Sequence, residues 1–234
     1  MDPLQLRRPN LRDQVLAVIR QQLVAGEIRP GEIYSASAMA TRLGTSNAPV
    51  REAMLTLVNQ GVMEVVPNRG FRVTPLNDTD LDEVYQLRLM LEVPALEELS
   101  RRGSRAEVEP LRAHAEACTQ AAERGDLTGF LNTDRDFHLG LLELLGNRRL
   151  VGLVELLRDQ TRLYGLHKLA AEGRLVSASQ EHFDLLEAVL AGDPDRTGQL
   201  MVKHLQHVRG DWAGAGEPLS DPGESRPLAP EPLR

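Results

Sequence analysis

The stretch TSNAPVREAM, residues 45–54, puts a proline just ahead of an arginine and a glutamate, at the entrance to the apolar-patterned LTLVNQGV. Proline is tolerated in a helix only near its start, where the first four N–H groups have no intrahelical acceptor. The stretch therefore predicts a helix N-terminus. Ser46 is expected as N-cap, its hydroxyl accepting an early backbone N–H, with Pro49 fixing φ in the first turn. Val50, Met54, Leu57 and Val58 then recur at helical spacing as a buried stripe, while Asn47, Ala48, Arg51 and Glu52 point elsewhere. Leu55 falls on the outer face, and the periodicity gives no account of it.

Upstream, LRDQVLAVIRQQLVA (11–25) places Leu11, Val15, Val18, Ile19 and Leu23 on one face and stops at Gly26 and the Pro30-Gly31 turn. A second helix is expected from about Ser35 to Leu43, with Met39 and Leu43 inward and Gly44 closing it. A short helix, a glycine turn and a capped helix make a helix-turn-helix. After Gly61 the period changes from 3.6 to 2: VMEVV (62–66) and FRVT (71–74) are β-prone runs joined by PNRG, with Gly70 supplying a permissive backbone. Helix-turn-helix followed by a β-hairpin predicts a winged helix, closed by Pro75.

From Asn77 or Asp78, which cap a helix with an acidic first turn, the chain reads as helices as far as about Trp212. The breaks are Gly103-Ser104 with a capping box to Glu107, Gly125-Asp126, Gly146-Asn147, Gly173 with a box from Ser177 to Gln180, and Gly192-Asp193-Pro194. Six helices of about 14 to 25 residues follow from them, forming an all-α bundle. The closing GAGEPLSDPGESRPLAPEPLR (214–234) has five prolines and few large apolar residues, so a disordered tail is expected.

The 234 residues suffice for two domains with cores of their own. No run approaches the roughly 18 apolar residues of a membrane span, and MDPLQLRRPN lacks the apolar stretch of a secretory signal. The lone Cys118 excludes an intramolecular disulfide framework and fits a reducing cytosol, so a cytoplasmic location is expected. The net charge of −7 conceals an asymmetry: residues 1–75 carry nine Arg and six Asp plus Glu, a balance of +3, leaving −10 for residues 76–234. A basic front on an acidic body hints at a nucleic-acid-binding module carried by something else.

A DNA major groove admits one α-helix, whose N-terminal side chains read base edges while arginines and backbone N–H groups hold phosphates. Asn47 and Arg51 are placed to read bases, Arg69 on the wing to reach backbone or minor groove, and Arg42 to clamp a phosphate. Any one of these arginines taken singly could equally be solvated surface.

A second constellation lies in the helical part. DRDFH sets Asp134 and His138 one turn apart on one helix face, and His182 and His204 fall on two further helices. Bundles build metal sites from such inward side chains, and imidazole with carboxylate suits Zn, Ni, Co or Fe better than Mg or Ca. Hydrogen-bonded core histidines give the same spacing, which alone does not separate the two. His207 could replace or support His204; Asp136, His114 and His167 are expected at the surface.

LGTSNAPVREAMLTLVNQGVMEVVPNRGFRVT resembles the signature of GntR-type bacterial transcription regulators, over residues 11–74. That resemblance implies DNA contacts at Ser37, Asn47, Arg51 and Gly70. Many members have Arg, Arg and Thr where this chain has Ser37, Asn47 and Ala48, which leaves the preferred bases open. DRDFH, LGN, EHFDLLEAVLAGD and MVKHL resemble, in order, the FCD effector domain of the FadR branch, over about residues 78–212. This second resemblance implies a divalent metal on Asp134, His138, His182 and His204, with positions open to the carboxylate of a small organic or sugar acid that weakens DNA binding. It also places Arg88 at the effector cavity, although a salt bridge to Glu92 on the same helix would equally account for that residue.

The expected protein is mainly α: a winged helix-turn-helix for double-stranded DNA over residues 1–75, an all-α effector- and metal-binding domain over 76–213, and the tail 214–234. It is expected to be a ligand-responsive repressor, not an enzyme, with Zn or Ni as cofactor and no membrane partner. It should act as a homodimer on an operator, because one helix reads half a site. Two rivals stand beside this reading. A metal-dependent hydrolase would use the same ligands to activate water, though no general base stands out beside them; a non-DNA-binding adaptor would use the wing for protein contacts, and its binding need not weaken steeply with salt.

Overall fold

The computed structural model describes residues 11–24, 26–103, 105–161 and 166–212. Helices α1 (Leu11–Val24), α2 (Ala36–Leu43) and α3 (Asn47–Asn59) and strands β1 (Ile33–Tyr34), β2 (Met63–Val66) and β3 (Gly70–Val73) enclose one core. Ile19, Val50 and Met54 are fully buried in it, packed with Met39, Leu57 and Phe71. Leu11, expected inward, is 49% exposed; it opens α1, and Val15 is the first residue of that helix to reach the core. Val18, Leu43 and Val58 are half-buried.

Local chemistry explains the ends of α2 and α3. Ser35 accepts from the Ala38 N–H at 3.4 Å, and Gly44 closes α2 in the left-handed region at φ 62°. Ser46 does stand at the N-cap of α3, in extended backbone, but its hydroxyl makes no capping bond. Pro49 is the reason: it occupies the third helical position and has no N–H to offer the serine.

The sheet has three strands rather than the hairpin that the alternation predicts. Its order is β1-β3-β2, with β3 antiparallel to both neighbours; Tyr34 pairs with Phe71, and Val66 with Gly70. Gly70 at φ 132° would, with a Cβ, bring that atom to 2.4 Å from the Tyr34 carbonyl oxygen. Glycine is therefore required by the approach of β1 as well as by the turn.

The helical body begins at α4 (Asp78–Arg102), capped by a reciprocal box between Asn77 and Asp80. After it come α5 (Arg105–Val108), a 3-10 turn (Glu109–Leu111), α6 (Arg112–Glu123), α7 (Leu127–Glu143), α8 (Arg148–Thr161), α9 (Leu166–Ala171), α10 (Leu175–Ala191) and α11 (Pro194–Trp212). Six of these are long, as expected, but α6 has only 12 residues because α5 and the 3-10 turn precede it, and α9 was not foreseen. Ser177 is not a cap. Helix α10 starts earlier, at Leu175, with Arg174 at the N-cap position, and the Arg174 carbonyl accepts the Ser177 hydroxyl at 2.8 Å. The Ser104 box, the His167 side chain and the tail 214–234 lie outside the described residues. Helix α4 packs along α11, and α6 against α7 and α10, around Phe137, Leu141, Leu142, Leu186 and Met201. Among the described residues no helix is long and apolar enough to cross a membrane.

The two cores meet where α8 reaches the helix-turn-helix. Arg20 of α1 donates to Asp159 at 3.0 Å and to the Gln60 side chain at 3.1 Å. Gln160 donates to the Gln60 carbonyl at 3.3 Å. Gly61, at φ 71°, leaves room for that contact: a Cβ there would stand 2.5 Å from Gln160 Nε2.

Candidate functional site

Three long helices bring four expected residues together. Asp134 and His138 come from α7, His182 from α10 and His204 from α11, and one ligand-type atom from each lies within 4.8 Å of all the others. Asp134 Oδ1 is 3.2 Å from His182 Nε2 and 3.6 Å from His138 Nε2, without the alignment of a hydrogen bond. Ring centroids of the three imidazoles stand 4.8 to 5.4 Å apart. All three rings are buried.

Protonation suits ligation. Burial alone pushes the Asp134 carboxyl up, but Arg158 and the neighbouring imidazoles outweigh it and hold the group well below the usual carboxylate range. Burial, then Arg158, keeps His138 well below the ordinary imidazole value, and burial lowers His204 against the opposing pull of Glu181. An ionised carboxylate and neutral imidazoles are the forms that bind a metal. Both ring nitrogens of His138 and His182, and Nε2 of His204, are buried without a hydrogen-bond partner among the described residues. Unpaired buried nitrogens are costly, and a cation taking one lone pair from each ring would remove that cost at three of the five. The donor set therefore fits a divalent transition metal.

Side chains behind the quartet fix its orientation. Arg158 donates to Asp134 Oδ2 at 2.5 Å and to Glu92 at 3.3 Å, leaving Oδ1 toward the histidines. Glu181 accepts from His204 Nδ1 at 2.9 Å, which turns Nε2 inward. His207 is half exposed and bonds the other Glu181 oxygen, so it supports His204 and does not replace it. Neither Arg158 nor Glu181 is among the residues that the sequence patterns point to. An arginine inside the apolar stripe of α8 was the available signal for the first; nothing in spacing pointed to the second. Asp136 is exposed, as expected, and His114 is half-buried.

A cavity of about 280 Å³ opens beside the quartet, lined at this end by Arg88, Asp134, Arg158, His182 and His204. Arg88 makes the salt bridge to Glu92, its Nε donating at 2.5 Å, and it also lines the cavity; one of its terminal nitrogens is buried without a partner among the described residues.

On the first core, Ser37, Arg42, Asn47, Arg51 and Arg69 are all exposed. Asn47 and Arg51 lie in the first turns of α3, Ser37 in the first turn of α2, and Arg69 and Gly70 at the tip of the wing. Ser37 shares a 2.7 Å hydrogen bond with Ser35, and Arg42 stands 3.9 Å from Glu27, an ion pair open to solvent. Among the described residues the Arg51 and Arg69 side chains have no ion-pair partner.

Comparison with known proteins covers both parts. The profile described as "Bacterial regulatory proteins, gntR family" matches residues 11–73, and that of the FCD domain matches residues 83–207. An uncharacterized HTH-type transcriptional regulator in an unstable DNA locus of Streptomyces ambofaciens is 30% identical, over 87% of this chain and 85% of its own. A protein of Paenarthrobacter nicotinovorans named as the probable D-xylose utilization operon transcriptional repressor is 28% identical over 86% of this chain and 88% of its own. The structure of McbR from E. coli superposes with a TM-score of 0.73 at 28% identity, over 87% of this chain and 97% of its own.

Proposed function

The chain belongs to the gntR family of bacterial regulatory proteins and carries an FCD domain, and on that premise we propose a metal-dependent transcription repressor that senses a small carboxylate. Residues 1–75 bind an operator in double-stranded DNA, and residues 76–213 bind the metal and the effector. Asn47 and Arg51 read bases; Ser37, Arg42, Arg69 and the Gly70 backbone hold the DNA strands. Asp134, His138, His182 and His204 hold the ion, Zn or Ni, and Arg88 pairs the effector's carboxylate through its spare terminal nitrogen. A bound divalent ion would supply positive charge and open positions for that carboxylate. Two copies act together, because one recognition helix covers half a site.

The observation that carries this reading is the placement of α8. Arg158 reaches the quartet, while Asp159 and Gln160, next along the chain, reach α1 and the end of α3. Occupancy at the quartet therefore has a short path to the DNA-binding surface. An effector alters DNA affinity only so far as it binds one arrangement better than the other.

The test is titration of the zinc-loaded protein with the DNA upstream of its own gene, against random duplex, at several salt concentrations. Preference for that DNA, weakening log-linearly with salt, supports the reading. Release of the DNA by a small carboxylate supports the sensor half, and tighter binding in its presence overturns the expected direction. Equal affinity for random duplex overturns the proposal.

A further inference from the structure

We infer that the effector is a monocarboxylic acid whose far end is apolar, and not a sugar acid or a diacid; this deepens, and rests on, the sensor reading above. Charge supplies the first argument. Among the groups around the quartet, the two cations Arg88 and Arg158 are matched by the two anions Glu92 and Asp134. Glu181, bonded to His204, adds one negative charge. Against the two positive charges of a divalent ion this leaves one unbalanced, which a single carboxylate neutralises. A second carboxylate held at the same depth would be in excess, an expensive arrangement.

The rest of the cavity supplies the second. Most of its other polar side chains in the described residues already have partners: Arg135 with Glu155, Arg174 with Glu172 at 3.1 Å, Asp159 with Arg20 at 3.0 Å and His207 with Glu181, leaving Arg135 Nε as one buried donor without a partner. Its two hydroxyls donate to carbonyls of their own helices, Ser177 to Arg174 at 2.8 Å and Thr161 to Leu157 at 3.1 Å. Among the described residues the remaining wall is apolar, from Phe130 and Leu131 on α7, Leu166 and Leu169 on α9, Ala178 on α10 and Val208 on α11. Against the apolar part of that wall one hydroxyl could use Arg135 Nε, and each further hydroxyl that lost water without a partner would cost about tenfold in affinity. A hydrocarbon chain or ring gains from the same wall. The volume of about 280 Å³ admits about a dozen non-hydrogen atoms.

The test is calorimetric titration of the full, zinc-loaded chain with hexanoate, gluconate and adipate. Hexanoate should bind at least tenfold more tightly than either of the others, and should lose most of its affinity when zinc is withheld. Gluconate or adipate binding as well as hexanoate overturns this inference while leaving the sensor reading intact; no binding by any of the three overturns both. Leu169→Asn gives a second readout, with folding checked by circular dichroism and zinc affinity measured alongside. It should weaken hexanoate at least fivefold and leave gluconate unchanged, whereas equal weakening of both removes the apolar wall from the argument.

Discussion

Arg20 of α1 and Asp159 of α8 meet at 3.0 Å across the junction of the two cores, with Asp159 almost fully buried. Arg158 beside it holds Asp134 at 2.5 Å, so one turn of α8 touches both the quartet and the helix-turn-helix. Arg20→Ala is expected to cost about 1–3 kcal/mol of stability, as for loss of a hydrogen bond to a charged group. It should leave zinc affinity unchanged and lower the effector's leverage on DNA by about 1 kcal/mol or more. Urea unfolding and DNA titration with and without hexanoate measure both, and an undiminished effector response would rule out this route of coupling.

Arg158→Ala removes the cation shared by the buried Glu92 and the partly buried Asp134. Glu92 keeps Arg88 and Asp134 is partly exposed, so the cost is expected below the roughly 3–5 kcal/mol of a fully buried pair broken from one side. Zinc should restore more stability to the variant than it adds to the wild type, because it also neutralises Asp134. Thermal melts with and without zinc check this; equal increments in the two proteins would contradict the role given to Arg158.

Acid should weaken the metal-free protein before any carboxylate is protonated. Burial keeps His138 and His204 below the ordinary imidazole value when folded, so below about pH 6.5 the unfolded chain binds more protons than the folded one. Stability therefore falls as pH drops through that region. Asp134, held low when folded, contributes fully above about pH 4 and offsets nothing between about pH 5 and 7. The urea midpoint is expected to decline from pH 7 to pH 5; a flat midpoint would mean that the two rings are not buried in neutral form.

Cys118 should be inert in the native state. Burial, and after it the nearby Asp134, push its thiol up to about 12, and no part of the residue is exposed. A disulfide reagent at neutral pH should label it only after urea unfolding. Immediate labelling of native protein would show that α6 opens readily.

What the sequence disclosed follows the range of the forces involved. Gly44, Pro49, Gly70 and Asn77 act on their own backbone, so the helix ends and the wing could be read directly. Ser46 shows the limit of that approach, since its hydroxyl lost its partner to the proline three residues on. Strand β1 has two residues, too few for any periodicity, and exists only because β3 pairs with it. Asp134 and His138 could be placed together from their spacing on one helix, whereas the approach of His182 and His204 needed three helices packed as observed. Arg158 lies 24 residues from Asp134 and 66 from Glu92, a pairing that only tertiary packing creates.

The hydrogen bond from Gln160 to the Gln60 carbonyl, for which Gly61 leaves room, would make α3 a lever with its fulcrum at the end away from Asn47. The 13 residues of α3 give an arm of roughly 20 Å between the Gln60 attachment and Asn47. A tilt of about 5° at the attachment sweeps the tip through roughly 1.7 Å by that geometry, more than a hydrogen bond to a base edge tolerates. If Asn47 and Arg51 contact bases as proposed, adjustments at α8 of that size would be enough, at the other end of one rigid helix, to break those contacts.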